Sequence, residues 1–231
     1  MIDYVNKLRT VYQLQANPER AAKKNAYMRN LFPHFGLVAP EQHELLKSFT
    51  KEHGMPDKND LPELIDLLWA QPEREFQHFG QELLAKYSKK VDEDFIGIYE
   101  FMIVNKSWWD SIDMIASHLV GTHLKRYPEL IPVYTEKWMG SGNFWLQRTA
   151  LLFQLKYKKA TDVDLMFDLI KRLAHEKEFF IRKAIGWVLR EYSKTAPETV
   201  VRFVENNQLS HLSKTEALKV INRKRMRAGL L

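Results

Sequence analysis

The sequence predicts an all-α chain folded as an α-solenoid, a stack of helix pairs in which each pair packs on the one before. Three observations lead there. Apolar residues recur at helical spacing, as in Leu61, Leu64, Ile65, Leu68 and Trp69, and no alternating strand pair with a tight hairpin turn occurs. Proline followed by glutamate marks one helix start after another. The stretches Phe144-Trp145-Leu146-Gln147-Arg148 and Phe179-Phe180-Ile181-Arg182-Lys183 align at an offset of 35 residues, a period typical of helical-repeat arrays.

Taken in order, Asn17-Pro18-Glu19 reads as cap, first helical residue and acidic first turn, and the Pro-Glu signature returns at Pro40, Pro72, Pro128 and Pro197. Gly54 and Gly121 read as helix stops, and Gly140-Ser141-Gly142 as a short linker. About a dozen helices of roughly 10–16 residues with short loops follow. Ser107 reads as the N-cap of a helix whose apolar stripe is Ile112, Ile115, Ala116 and Leu119. Ser213 reads as the cap of the last helix, which runs into a basic tail of Arg223, Lys224, Arg225 and Arg227, a solvated and frayed end. The 35-residue offset also pairs Tyr157 with Tyr192, twice the offset links Tyr87 to Tyr157, and one step back from Arg148 falls on Asp113. The period is shorter than is usual for HEAT repeats, and no tetratricopeptide signature is present. One domain over residues 1–231 is the simplest organisation.

Composition narrows the chemistry. Of 231 residues 45% are hydrophobic, enough for a sizeable core, and none is cysteine, which removes disulfides, thiolate metal sites and cysteine nucleophiles. The absence of cysteine and of a secretory start at Met1-Ile2-Asp3-Tyr4 fits a cytoplasmic protein. No run of about 18 apolar residues is long enough to span a membrane. The formal net charge of +6 is compatible with a polyanionic partner. The eight histidines lack metal-ligand spacing, with His118 and His123 five residues apart, and no phosphate loop, dinucleotide glycine pattern or Gly-x-Ser-x-Gly elbow is present. Neither a metal nor a cofactor is expected.

What remains centres on Lys106-Ser107-Trp108-Trp109-Asp110-Ser111-Ile112-Asp113. Trp109 and Asp113 lie off the apolar stripe and, four residues apart, project within roughly 40° of each other. Two readings fit: an indole and an acid forming a site, or a packing tryptophan beside a structural ion pair. Equivalent positions of successive repeats line one surface, so Asp113, Arg148 and Lys183 would form a row, with Trp187 one turn beyond Lys183. An acid, indoles and a basic row suit DNA carrying a purine alkylated at N3 or N7. Such a base is cationic and leaves neutral, so no general acid is needed. A carboxylate can stabilise the oxocarbenium character of the sugar and orient water. Indole faces attract cations, and Lys and Arg hold phosphates without reading sequence.

Lys106 to Asp113, Asn143 to Arg148 and Lys183-Ala184-Ile185-Gly186-Trp187-Val188-Leu189-Arg190-Glu191-Tyr192 closely resemble the AlkD-type DNA alkylation repair glycosylases. The resemblance runs from Tyr27 to Leu212-Ser213-Lys214. It implies a HEAT-like solenoid that cradles duplex DNA. It also implies a monofunctional enzyme of base excision repair that releases 3-methyladenine and 7-methylguanine without flipping the base into a pocket. On this resemblance Asp113 is the catalytic carboxylate, with Trp109 and Trp187 at the deoxyribose. On the same resemblance Arg148 grips backbone phosphate and Tyr27 lies against the DNA. Lys183, from the repeat row, and Arg190 are taken as further DNA-binding residues, and duplex DNA is the expected partner of a monomer. For Tyr27 the residues alone favour core packing, and for Arg148 the alternative is a structural salt bridge to Asp113. A non-catalytic repeat protein that binds distorted or branched DNA is the second reading. A scaffold for protein partners would need an exposed apolar stripe in place of the charged row.

Overall fold

A computed structural model describes residues 1–227 of the chain. Those residues form helices and connecting turns with no strand among them, an all-α fold of stacked helical repeats of the HEAT-like class. The chain divides into two compact units, with the boundary between Lys106 and Ser107.

The first unit contains α1 (Ile2–Leu14), α2 (Pro18–Tyr27), α3 (Ala39–His53), α4 (Leu61–Ala70), α5 (Arg74–Tyr87) and α6 (Ile96–Val104). The stripe expected on α4 is all core: Leu61, Leu64, Ile65, Leu68 and Trp69 are buried against α1, α5 and α6, each aliphatic side chain worth about 1.5–3 kcal/mol. Gly54 ends α3 at a φ of 83°, as the sequence predicts. Helix α2 differs from its neighbours because it buries no residue of its own. Asn17 Oδ1 caps it by accepting the Arg20 N–H at 2.9 Å, and polar contacts attach it: Arg20 reaches Glu41 at 2.8 Å and Lys24 donates to the Leu37 carbonyl. The loop that follows it is tied down by fully buried Glu75, whose carboxylate accepts the N–H groups of Phe35 and Gly36 at 3.1 and 3.0 Å.

The second unit contains α7 (Trp109–Met114), a π-helical stretch over Ile115–Val120, α8 (Gly121–Arg126), α9 (Leu130–Met139), α10 (Phe144–Leu152), α11 (Val163–Leu173), α12 (Phe179–Tyr192), α13 (Pro197–Asn206) and α14 (His211–Arg227). Helices α7 and α10 run in the same direction, with Trp108 beside Trp145 and Asp113 beside Arg148. Helices α12 and α14 do likewise, with Arg182 beside Ser213 and Gly186 beside Glu216.

The 35-residue period is sharper in the helix starts than in the motifs. Helices begin at Ala39, Arg74, Trp109, Phe144 and Phe179, each 35 residues after the last. Two tyrosines of the repeat also act alike: the hydroxyls of Tyr87 and Tyr157 donate to the carbonyls of Pro56 and Gly121, about one repeat earlier.

Four local expectations are corrected. Ser107 is not the cap of α7; that position belongs to Trp108, held in extended backbone while its ring lies edge-on to Trp145 and Phe180. Gly121 does not stop a helix. It continues one, because a Cβ there would lie 2.4 Å from the carbonyl oxygen of Phe153, so glycine admits the neighbouring chain. Ser213 lies inside α14, and it is Ser210 whose Oγ accepts the Ser213 N–H at 3.1 Å. Pro72 and Pro128 precede their helices by two residues. At Pro72 the side chains of Gln77 and Lys106 both donate to the Gln71 carbonyl and hold the chain in a bend.

Candidate active site

Asp113 sits in the last turn of α7, beside the apolar stripe of Ile112, Ile115, Ala116 and Leu119, which is fully buried. That stripe fixes the helix, and the carboxylate leaves it toward α10. There Arg148 donates Nε–H to Asp113 Oδ1 at 2.8 Å and Nη2–H to Oδ2 at 3.0 Å. The pair is bidentate and off the open surface: the Arg148 side chain is 3% exposed and that of Asp113 is 21% exposed. Burial pushes the Asp113 carboxyl above its ordinary range, by more than Arg148 pulls it down, and nearby Asp110 adds to the rise. Arg148 is itself fixed, since its Nη1–H reaches the carbonyl of Phe180 at the start of α12. One guanidinium therefore ties α7, α10 and α12 together.

The helix that carries Arg148 is well capped. Asn143 Oδ1 accepts the N–H groups of Trp145 and Leu146 at 2.9 and 3.4 Å. Around the three helix starts Trp108, Phe144, Trp145, Phe179 and Phe180 form one aromatic group centred on Phe180, with ring centroids 4.9–6.3 Å from it. The sequence reading singled out none of these five rings as site residues. Their mark in the sequence is the repeat itself, which brings Phe144 and Phe179 to equivalent positions at helix starts.

Trp109, the first residue of α7, and Trp187 in α12 are both half-buried. Lys183, the rung expected after Arg148, turns to α14, where its Nζ lies 2.6 Å from Glu216 Oε2. Arg190 pairs with the other oxygen of the same carboxylate. The row is thus two ion-paired sets, Asp113 with Arg148 and Lys183 and Arg190 with Glu216. Glu216 was missed by the sequence reading, and its distance of 33 residues from Lys183, close to one repeat, is the signal that could have found it. Tyr27, at the end of α2 in the first unit, is 73% exposed, so core packing does not account for it.

His118 lies in the π-helical stretch, where rotation at 100° per residue no longer holds, so counting five residues from Asp113 does not place it. The residue as a whole is solvent-accessible, but partial cover of its ring, together with Lys156, lowers its pKa below the ordinary 6.5. No group of three or more His, Cys, Asp or Glu side chains suited to a metal ion occurs among the described residues. No helix among them is long and apolar enough to cross a membrane.

A helical-repeat protein with a fixed acid, indoles and clustered cations along successive helices is the class that fold and site define. The sequence matches the family model of the DNA alkylation repair enzymes over residues 8–221. A solved structure described as a predicted DNA alkylation repair enzyme from Enterococcus faecalis is similar at a TM-score of 0.81 and 35% identity, covering 88% of this chain and 95% of that one. A comparison with curated proteins finds no match. The chain belongs to the AlkD-type DNA alkylation repair family.

Proposed function

We propose that the chain is a monofunctional DNA glycosylase that hydrolyses the N-glycosidic bond of purines carrying a positive charge after alkylation at N3 or N7. Its substrates would be 3-methyladenine and 7-methylguanine in duplex DNA, released without drawing the base into a pocket. The observation that carries the reading is the Asp113 carboxylate, partly exposed yet fixed through both oxygens by a buried arginine.

The chemistry asks little more. The bond between C1′ and the base nitrogen breaks, and its electron pair leaves with the base, which becomes neutral. Positive charge develops on the sugar, and the carboxylate stabilises it at the moment it appears. Water adds to C1′ and gives up a proton, which passes through the carboxylate to solvent, leaving an abasic site. A carboxylate has about four lone-pair positions and Arg148 occupies two, so the others remain for water and sugar. Trp109 and Trp187 flank the deoxyribose, with indole faces toward its developing charge.

DNA is held by phosphate contacts from Tyr27, Lys183 and Arg190. Arg148, expected from the resemblance to grip phosphate, is 3% exposed and spends three of its five N–H groups within the fold, so its part here is to hold Asp113 in place. The test is direct: incubate the purified chain with duplex containing 7-methylguanine and measure released base by chromatography. Release above the spontaneous rate supports the reading, and its absence sinks it.

The bidentate pairing also favours the second reading. A carboxylate held by arginine can be a strut in a protein that binds distorted or branched DNA without cutting it. That protein would bind such DNA tightly and release no base.

A further inference from the structure

Glu216 lies at the centre of an arrangement that the reaction as written leaves unused. Its side chain is 7% exposed, so the carboxylate is held within the protein. Its partners Lys183 and Arg190 stand seven residues apart on α12, two turns along one face, with Trp187 on the same face between them. What brings α14 near enough is Gly186. A Cβ at that position would lie 2.5 Å from the Glu216 Cβ and 2.9 Å from the Ser213 carbonyl oxygen. Ser213 fixes the register from the other side, donating its Oγ–H to the Arg182 carbonyl at 2.9 Å. A glycine, a serine and an acid thus seat one carboxylate against two cations that bracket an indole.

Resting on the proposed glycosylase reading, we propose that Glu216 is a positioning residue for that reaction: it sets Lys183 and Arg190 on either side of Trp187 and withholds part of their charge from DNA. Either cation alone would sweep a wide volume on its flexible stem. Bound to one fixed carboxylate, both present the remaining N–H groups in set directions, and the indole between them is held in a fixed frame. The same carboxylate cancels one positive charge on that face, which weakens attraction to undamaged phosphate backbone.

The two effects have opposite signs, and that makes the inference testable in the full-length protein. Glu216→Gln removes the charge and keeps the shape. Its affinity for an undamaged 20-base-pair duplex should rise a few-fold, and the salt dependence of binding should steepen by about 0.9 in log–log slope, the increment for one more cation at a phosphate. Single-turnover release of 7-methylguanine by saturating protein should fall about tenfold to a hundredfold, the penalty for loosening groups near a reacting centre. Glu216→Asp keeps the charge but withdraws it by one methylene, so the slope should stay at the wild-type value while release still falls.

A purely structural Glu216 would give a lower melting temperature, with binding and release falling together in the Gln variant. That result overturns the proposal, as does wild-type release by the Asp variant, which also decides the matter should the Gln variant not fold. If the wild-type protein releases no base at all, the glycosylase reading fails. The change in salt slope still tests the hold on Lys183 and Arg190.

Discussion

Asp113→Asn separates the chemistry of the carboxylate from its place in the fold. In the wild type both oxygens accept from Arg148, at 2.8 and 3.0 Å. An amide keeps one acceptor and sets an NH2 group against the second guanidinium N–H. One charge-assisted hydrogen bond is lost, worth about 1.5–3 kcal/mol, and two donors then face each other. Relief of the burial that already disfavours the ionised carboxyl offsets part of this. A net loss of about 2 kcal/mol should lower the melting temperature by roughly 4–8 °C for a chain of this size, so the variant stays folded at 25 °C. The rate should fall much further, by about a hundredfold to a thousandfold, because the charge that answers the oxocarbenium-like sugar is gone. Affinity for duplex should change little, since phosphate contacts dominate it. The assay is single-turnover release of 7-methylguanine with protein in excess, with duplex affinity measured by fluorescence anisotropy at the same salt. Wild-type release by folded Asn protein would remove Asp113 from the mechanism. Loss of release matched by an equal loss of affinity would make it a binding residue.

Arg148→Ala should destabilise the fold by about 3–5 kcal/mol in urea unfolding, since it strands a largely buried carboxylate and the Phe180 carbonyl. A double-mutant cycle with Asp113→Ala that shows no coupling would contradict the pair. Trp109→Ala combined with Trp187→Ala should slow release by a factor other than the product of the single effects, as expected of residues that share one sugar; normal release would return both indoles to packing. Burial holds the Asp113 carboxyl above its ordinary 3.8, so release should decline on acidification at a higher pH than an ordinary aspartate would give. The stability linked to this group has the opposite sense. It is fully present below the unfolded-state value and is lost as pH rises through the raised folded-state value, a slope the Asn variant should lack.

The helical class and the spacing of the site were legible because both depend on local periodicity. Leu61, Leu64, Ile65, Leu68 and Trp69 carry the α4 core stripe in plain view, and the 35-residue offset leads from Arg148 to Asp113, its actual partner. What escaped depends on contacts distant in sequence. Gly121 resembles a stop until the Phe153 carbonyl is seen beside it, and Gly186 gives no sign that it seats Glu216. The cap of α7 slipped by one residue because Trp108 is fixed by rings from two later helices, which no local rule for serine capping can foresee. The π-helical stretch after Met114 was invisible for the same reason, as the sequence keeps an ordinary helical stripe through it. The basic end, expected to fray, is helical as far as Arg227.

The proposed substrate class turns on what stands near the carboxylate. A neutral damaged base such as hypoxanthine leaves poorly unless a proton reaches it as the bond breaks, and that calls for a positioned acid. Arg148 is no such acid, because a guanidinium does not give up its proton in proteins. Lys183 and Arg190 are engaged by the Glu216 carboxylate on α14. His118, nearest to Asp113 in sequence among the histidines, has its pKa lowered by partial burial and by Lys156, which disfavours the protonated ring that a general acid requires. Asp113 itself must be ionised to serve the sugar. An alkylated purine supplies from its own positive charge what these residues lack, and selectivity follows from leaving-group chemistry. Under this argument hypoxanthine release from an otherwise identical duplex stays at the spontaneous rate while 7-methylguanine is freed. Comparable rates for the two would require an acid that this site does not contain.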